Sequence, residues 1–199
     1  MRVFINDHLD RIDVEASLAQ LSEQRRQQAL AYRREEQQRQ SIAAYLLLRQ
    51  ALREVYGIDE QPIFRFGEHG KPSIVGHHDI HFNLSHCREA AICVVDDSPV
   101  GIDIESVNAF DEEVARYSMN DAELLQISRA PRPDIAFTRL WTQKEAILKQ
   151  SGQGIVSQAE LRNLLLSNSL PLFTVESLDL RYVYSICSAH FPPRFLSKG

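Results

Sequence analysis

Two acidic residues in a predicted strand, Asp103 and Glu105, are the first candidates for chemistry in this chain of 199 residues. Apolar and polar residues alternate over 100–105, which places both carboxylates on one face of the strand and two isoleucines on the other. Both residue types form strands poorly, and like charges on one face repel each other. A divalent cation with oxygen ligands is the simplest partner that would stabilise this arrangement.

A predicted helix over residues 137–149 carries a third carboxylate, Glu145, one turn before Lys149. Spacing of i, i+3 and i+4 predicts one stripe on this helix, made of Phe137, Leu140, Trp141, Lys144 and Leu148. We expect Trp141 in the core, because an indole buries a large area. We expect Lys144 either to extend its ammonium toward solvent or to pair with a carboxylate, because an unpaired buried ammonium is costly. Alone, Glu145 and Lys149 are typical of an exposed ion pair. Beside the acidic strand, Glu145 would complete a metal site.

Composition bounds the classes of function. Hydrophobic residues make up 44% and charged residues 25%, as is usual for a globular protein, and the net charge of −5 argues against a general nucleic-acid binder. No apolar run reaches membrane-spanning length, and the first residues do not read as a signal peptide. The three cysteines lack zinc-site spacing and favour a reducing compartment. We therefore expect a cytoplasmic protein that binds neither nucleic acid nor membrane.

The order of predicted elements favours an α+β fold. A short strand at 3–5 and a helix over about 18–55 precede strands at 80–84, 90–95 and 100–105, and the last two of these are predicted to form a hairpin. Later residues repeat the scheme faintly, with a short helix near 159–166 and strands toward 187. We predict two pseudo-duplicated halves, 1–100 and 101–199, each with an antiparallel sheet packed on helices and with the active site at their interface.

Several donors suit a phosphate ligand. Lys71 lies in a glycine and proline loop, and Ser85 and His86 follow a strand. Adjacent residues of an extended chain point opposite ways, so Ser85 and His86 favour ligand contacts over a hydrolase dyad. The helix before residue 40 is rich in arginine, which suits phosphate oxygens but also an ordinary solvated face. The residues alone indicate metal-assisted chemistry on a phosphate ester or anhydride.

The chain resembles the 4′-phosphopantetheinyl transferase superfamily in motifs that occur in one order. They are Gly70-Lys71-Pro72, Phe82-Asn83-Leu84-Ser85-His86, Gly101-Ile102-Asp103-Ile104-Glu105, and Trp141-x-x-Lys144-Glu145-x-x-x-Lys149 with Gly152-x-Gly154. The resemblance spans about residues 30–190. Chain length and the arginine-rich start resemble the larger, monomeric branch that activates peptide synthetases such as surfactin synthetase.

The resemblance implies transfer of the 4′-phosphopantetheine arm of coenzyme A to a serine of an acidic apo acyl or peptidyl carrier protein, with release of 3′,5′-ADP. It implies Mg²⁺, with Mn²⁺ also acceptable, held by Asp103, Glu105 and Glu145. Glu145 is either a metal ligand or the base that deprotonates the carrier serine, and both alternatives stay open.

The same resemblance gives roles to the donors. It makes Glu145, Lys149 and His86 catalytic, with Lys149 on the transferring phosphate, His86 on the pyrophosphate, and Ser85 in the coenzyme A site.

For the 3′-phosphoadenosine end of coenzyme A, the resemblance implies Lys71, Arg34 and Arg39. Because the basic N-terminal segment has no fixed motif, Arg33 or Arg26 could replace Arg34 in this role.

Two other functions compete with the transferase. A metal-dependent hydrolase would cleave coenzyme A or a nucleotide pyrophosphate with water, and nothing in the sequence excludes water as the acceptor. A non-catalytic module that binds carrier protein or coenzyme A would not need the metal carboxylates, which argues against it.

Overall fold

The computed structural model describes residues 1–154 and 156–190 together with the backbone of 194–195, and in this part of the chain helices pack on antiparallel sheets. The strands are β1 (Arg2–Asn6), β2 (Phe64–Phe66), β3 (Pro72–Ile74), β4 (His81–His86), β5 (Ala91–Asp96), β6 (Val100–Ser106), β7 (Leu172–Glu176), β8 (Tyr182–Ser188) and β9 (Arg194–Phe195). The helices are α1 (Val14–Leu18), α2 (Glu23–Leu30), α3 (Glu35–Tyr56), α4 (Glu112–Ser118), α5 (Asp121–Arg129), α6 (Pro133–Ser151) and α7 (Gln158–Ser167). None of the described helices is both long and apolar enough to cross a membrane.

Two main sheets divide the strands. The first has the order β4-β5-β1-β9, the second β6-β8-β7, and β2 and β3 form a separate pair. All pairs are antiparallel except β1 with β9. The α+β prediction is confirmed. The division into two pseudo-duplicated halves, 1–100 and 101–199, stays a prediction.

The predicted hairpin of β5 and β6 is wrong. β5 pairs with β4 on one side and β1 on the other, so neither of its edges is open to β6. β6 pairs instead with β8, where Asp103 lies opposite Ser185. The turn after Asp96 thus carries the chain from one sheet to the next, and the acidic strand lies in a different sheet from Ser85.

The helix predicted over about 18–55 is two helices, α2 and α3. Ser22 caps α2 by accepting a hydrogen bond from the Arg25 amide at 3.3 Å, and a turn separates α2 from α3. The polar run before residue 40 has no broad apolar stripe to hold one continuous helix on the core. α3 does have such a stripe, which packs in the core with the first sheet, and Gly57 ends it in the left-handed region at a φ of 68°.

α6 lies directly against β6 at Gly101. A Cβ atom at this position would lie 2.1 Å from the Ala146 carbonyl oxygen and 2.3 Å from the Gln150 amide nitrogen. Only glycine permits so close an approach of helix and strand. This contact brings Glu145 and Lys149 to the side of Asp103.

A buried ion pair fixes α6 from its other side. Lys144 has no exposed surface, lies 2.9 Å from Glu123, and donates to the Leu161 and Arg162 carbonyl oxygens at 2.7 and 3.0 Å. The expected pairing of Lys144 is confirmed. The core position predicted for Trp141 is wrong, because this side chain is half-buried and lines a cavity.

Candidate active site

The site forms where β4 and β6 meet through side chains. Asn83 Oδ1 accepts a hydrogen bond from the Ile102 amide at 3.0 Å, and Ser85 Oγ accepts one from the Ile104 amide at 3.3 Å. Ser85 Oγ also donates to Asp103 Oδ1 at 2.9 Å. Two side chains of β4 thus accept hydrogen bonds from backbone amides on the unpaired edge of β6. These bonds hold Ser85 beside Asp103.

Lys149 reaches this junction from α6. Its Nζ lies 2.5 Å from Asp103 Oδ1 and 3.1 Å from Ser85 Oγ. The Asp103 side chain is only 4% exposed, and a buried carboxylate needs polar or charged partners of this kind. Asp103 Oδ2 is buried and has no hydrogen-bond partner within the part of the chain that the structure describes. A buried oxygen with free lone pairs is the donor that a hard cation such as Mg²⁺ uses.

Three carboxylates share one electrostatic environment. Burial, and after it the negative charge of Asp103, raises the pKa of Glu105 to about 7. Lys149 and the Trp141 side chain oppose this rise in pKa, and Glu145 adds to it. Burial and Asp103 also raise the pKa of Glu145, which Lys149 opposes. Excess negative charge of this kind favours a bound cation. In the described structure, the three carboxylates do not each have an oxygen within 4.8 Å of the other two. They would have to move closer together to bind one ion.

A different group of ligand atoms does meet that distance. Asp96, Asp97 and His190 each place one such atom within 4.8 Å of the others. Asp96 is already bound by the Met1 ammonium at 3.0 Å, Ser188 Oγ at 3.0 Å and His190 Nδ1 at 3.1 Å. It borders a separate cavity with residues of β1 and α3. We therefore read this group as a structural contact between the first sheet and the end of β8.

A cavity of about 470 Å³ gathers residues from the predicted motifs. Its walls include Gly70, Lys71, Asn83, Trp141, Glu145 and Lys149. Burial lowers the pKa of Lys71, whose Nζ donates to two backbone carbonyl oxygens. The cavity thus combines two cations and a carboxylate with apolar walls, which suits a ligand with both charged and apolar parts.

A second cavity, of about 240 Å³, holds His86 and shares Asn83 and Leu84 with the first. Burial lowers the pKa of His86, and Lys149 and Arg25 lower it further. The imidazole is therefore neutral at neutral pH and can donate one hydrogen bond to an anionic ligand.

Arg25 is a candidate site residue that the sequence reasoning missed. It lines the second cavity, donates to Ser41 through Nη2 at 2.8 and 3.1 Å, and lies 5.0 Å from the ring centre of Tyr45. Its Nε is buried without a hydrogen-bond partner in the described structure. Its spacing of four residues from the buried Ala29 was the available signal, because i and i+4 share a helix face.

The arginines predicted for coenzyme A lie elsewhere. Arg34 is exposed at the N-cap of α3, and Arg39 donates to the Ile12 carbonyl oxygen at 3.1 Å and to Glu35 at 2.6 Å. Neither lines the two cavities described above. The predicted residues that the structure does bring together are Lys71, Ser85, His86, Asp103, Glu105, Glu145 and Lys149.

The chain is similar in sequence to known transferases. The family model of the 4′-phosphopantetheinyl transferase superfamily matches residues 99–190. A 4′-phosphopantetheinyl transferase of Bacillus subtilis is 27% identical over 203 residues, which cover 94% of this chain and 91% of the relative. The psf-1 transferase of Bacillus pumilus is 37% identical over 120 residues, or 59% of this chain and 52% of the relative. The gsp transferase of Aneurinibacillus migulanus is 32% identical over 156 residues, or 77% and 65%.

The range of the family match includes four of the predicted site residues. The family match contains Asp103, Glu105, Glu145 and Lys149, and the similarity to the Bacillus subtilis relative covers nearly the whole chain. These residues also lie around one junction of the two sheets, next to the cavity of about 470 Å³. Sequence motifs, their meeting in space and the similarity of the whole chain therefore lead to one conclusion: this protein belongs to the 4′-phosphopantetheinyl transferase superfamily and is an enzyme of that transferase class.

Proposed function

We propose that the protein transfers the 4′-phosphopantetheine arm of coenzyme A to a serine hydroxyl of an apo acyl or peptidyl carrier protein. The serine oxygen forms a bond to the phosphorus that carries pantetheine, the pyrophosphate P–O bond breaks, and 3′,5′-ADP leaves. The observation that carries the proposal is the junction of Asp103, Ser85 and Lys149 beside a cavity large enough for part of the substrate.

Asp103, Glu105 and Glu145 would hold a Mg²⁺ or Mn²⁺ ion in this proposal. The free Asp103 Oδ2 and the raised pKa values of both glutamates support it, because each is relieved by a cation. The bound ion supplies neutralisation of the charge that develops on the departing phosphate. Glu145 also borders the cavity, where a carboxylate with a raised pKa suits acceptance of the serine proton.

Lys149, which lines the first cavity, and His86, which lines the second, would bind the phosphates. Lys149 is 31% exposed, so its ammonium can turn from Asp103 toward a phosphate oxygen in the cavity. His86 is a neutral donor in the second cavity and suits the pyrophosphate. Together they orient the phosphorus for attack, and fixed donors of this kind account for much of the rate in phosphoryl transfer.

Arg25 would bind the 3′-phosphoadenosine end of coenzyme A. We expect Arg25→Met to raise KM for coenzyme A about tenfold, because a buried hydrogen bond to a charged group is worth roughly 1.5–3 kcal/mol. The control Arg34→Met removes the same charge from an exposed position and should change this KM less than about twofold. Steady-state kinetics with varied coenzyme A check the pair. A large effect of Arg34→Met alone would move the nucleotide site to the start of α3.

The proposed carrier protein is acidic, and the protein acts on it as a cytoplasmic monomer. Because this chain has a net charge of −5, attraction must come from a local basic surface, for which exposed Arg33 and Arg34 are candidates. We expect the Kd for the carrier to rise several-fold as NaCl increases from about 50 to about 300 mM. Titration calorimetry at the two salt concentrations measures it. A Kd independent of salt would indicate apolar docking instead.

Product analysis separates transfer from hydrolysis. We expect 3′,5′-ADP to appear by chromatography only when apo carrier protein, coenzyme A and Mg²⁺ are all present. Release of 3′,5′-ADP together with free 4′-phosphopantetheine in the absence of carrier would show that water is the acceptor and would overturn the proposal.

A further inference from the structure

The ammonium of Lys71 is engaged by the protein's own backbone. Its Nζ donates to the Gln150 carbonyl oxygen at 2.7 Å and to the Val100 carbonyl oxygen at 3.3 Å. Gln150 belongs to the last turn of α6, and Val100 begins β6. One lysine from the loop after β2 therefore bridges the end of the catalytic helix and the start of the acidic strand.

This contact caps α6. The last four carbonyls of an α-helix have no amide donor ahead of them in the helix, and Gln150 is one of these four. A cation at a helix C-terminus also interacts favourably with the negative end of the helix dipole. Lys71 satisfies both requirements although it lies 79 positions before Gln150 in the chain.

Two glycines let the loops close on each other. A Cβ at Gly152 would lie 3.0 Å from Lys71 Cδ, and a Cβ at Gly154 would lie 3.0 Å from His69 Cβ. Both glycines have positive φ, 68° and 74°. We call residues 67–72 and 152–154 together the clasp. Lys149 immediately precedes the carbonyl that the clasp holds, and it is also the residue that contacts Asp103.

We propose that Lys71 is a positioning residue: through the clasp it fixes the last turn of α6 and so places Lys149 against Asp103 and the cavity. The inference rests on the proposed function for its kinetic consequence, but not for the contact itself. It differs from the role in coenzyme A binding expected for Lys71, because two of the three ammonium donors are already used by carbonyl oxygens.

The kinetic test compares kcat with KM. We expect Lys71→Met to lower kcat about 10- to 100-fold, as a displacement of a catalytic group by about 1 Å does. KM for coenzyme A should stay within about threefold. Lys71→Arg can still donate to both carbonyl oxygens and should restore most of kcat. Gly152→Ala keeps the Lys71 ammonium, but the added Cβ would crowd the aliphatic part of the Lys71 side chain. This variant should also lower kcat without raising KM.

Amide hydrogen exchange measured by NMR tests the contact without any activity. In Lys71→Met the amides of residues 148–152 should exchange at least about tenfold faster, while the first turns of α6 keep their protection. Arg139→Met is the control, because it removes a cation from the same helix at an exposed position paired with Glu176. It should leave the exchange of residues 148–152 and kcat unchanged.

The outcomes are distinct. A tenfold rise in KM with unchanged kcat and unchanged exchange would make Lys71 a substrate ligand and overturn the inference. If Lys71→Met does not fold, unchanged exchange of residues 148–152 in Gly152→Ala would overturn it equally. If the wild-type protein has no transferase activity, the proposed function fails, whereas faster exchange in Lys71→Met would still support the clasp.

Discussion

Asp103→Asn should lower kcat/KM for phosphopantetheine transfer about 10³-fold, because the loss of about 4 kcal/mol of transition-state stabilisation expected from a metal site corresponds to that factor. The substitution keeps the shape of the side chain and removes its charge. Asp103 Oδ1 is shared by Ser85 and Lys149, and Oδ2 is the buried oxygen free for a cation. Asparagine leaves Lys149 without its anionic partner and the proposed ion without a ligand.

Metal binding gives Asp103→Asn a second readout. Electron paramagnetic resonance of Mn²⁺ should show weaker binding to the variant, and its melting temperature should stay close to that of the wild type. The control Asp97→Asn changes an aspartate whose side chain is 77% exposed and which lies outside the cavity, so its activity should be normal. Near-normal turnover in Asp103→Asn would remove the metal assignment from β6.

Gly101→Ala should cost the fold more than any exposed substitution. The added Cβ would lie 2.1 Å from the Ala146 carbonyl oxygen, and neither backbone can turn aside as a side chain would. α6 must therefore move away from β6, and we expect a loss of at least about 3 kcal/mol in the free energy of unfolding. In a chain of this size that is a fall in Tm of roughly 6–12 °C.

The matched control for Gly101→Ala is Gly76→Ala. Gly76 has a φ of 84° and no atom within 4 Å of an added Cβ, so only backbone strain of about 1 kcal/mol is expected there. Calorimetry of the two variants separates steric contact from strain. Below its Tm, Gly101→Ala should still have low activity, because the shift of α6 also moves Glu145 and Lys149. Equal Tm values for both variants would show that α6 can move away from β6 at Gly101 with little loss in the free energy of unfolding.

Alternation and helical spacing were sufficient to predict much of the site. The strand with Asp103 and the helix with Glu145 and Lys149 are predictable because each pattern is local. The order of the motifs then indicated that they meet. The pairing of β6 was not predictable in the same way, because a turn after Asp96 suits either a hairpin or a crossing to another sheet, and only β1 occupying the second edge of β5 decides between them.

The two functional features missed from the sequence depend on distant contacts. Arg25 is one of several neighbouring arginines, and its burial follows from where α2 packs on Ser41 of α3. The proposed role of Lys71 likewise depends on the Gln150 carbonyl oxygen, which has no sequence signature of its own. Residue types show what a side chain can bind, whereas tertiary packing decides whether the protein or the substrate provides the partner.

Intact-protein mass spectrometry of an apo carrier protein tests the central claim most directly. The carrier is incubated with this protein, coenzyme A and Mg²⁺, with EDTA in a parallel sample and Asp103→Asn in another. We predict a mass increase of one phosphopantetheine on the carrier serine, absent with EDTA and nearly absent with the variant. An unmodified carrier across a panel of acyl and peptidyl carrier proteins, with coenzyme A cleaved in the same samples, would contradict the transferase and indicate hydrolysis.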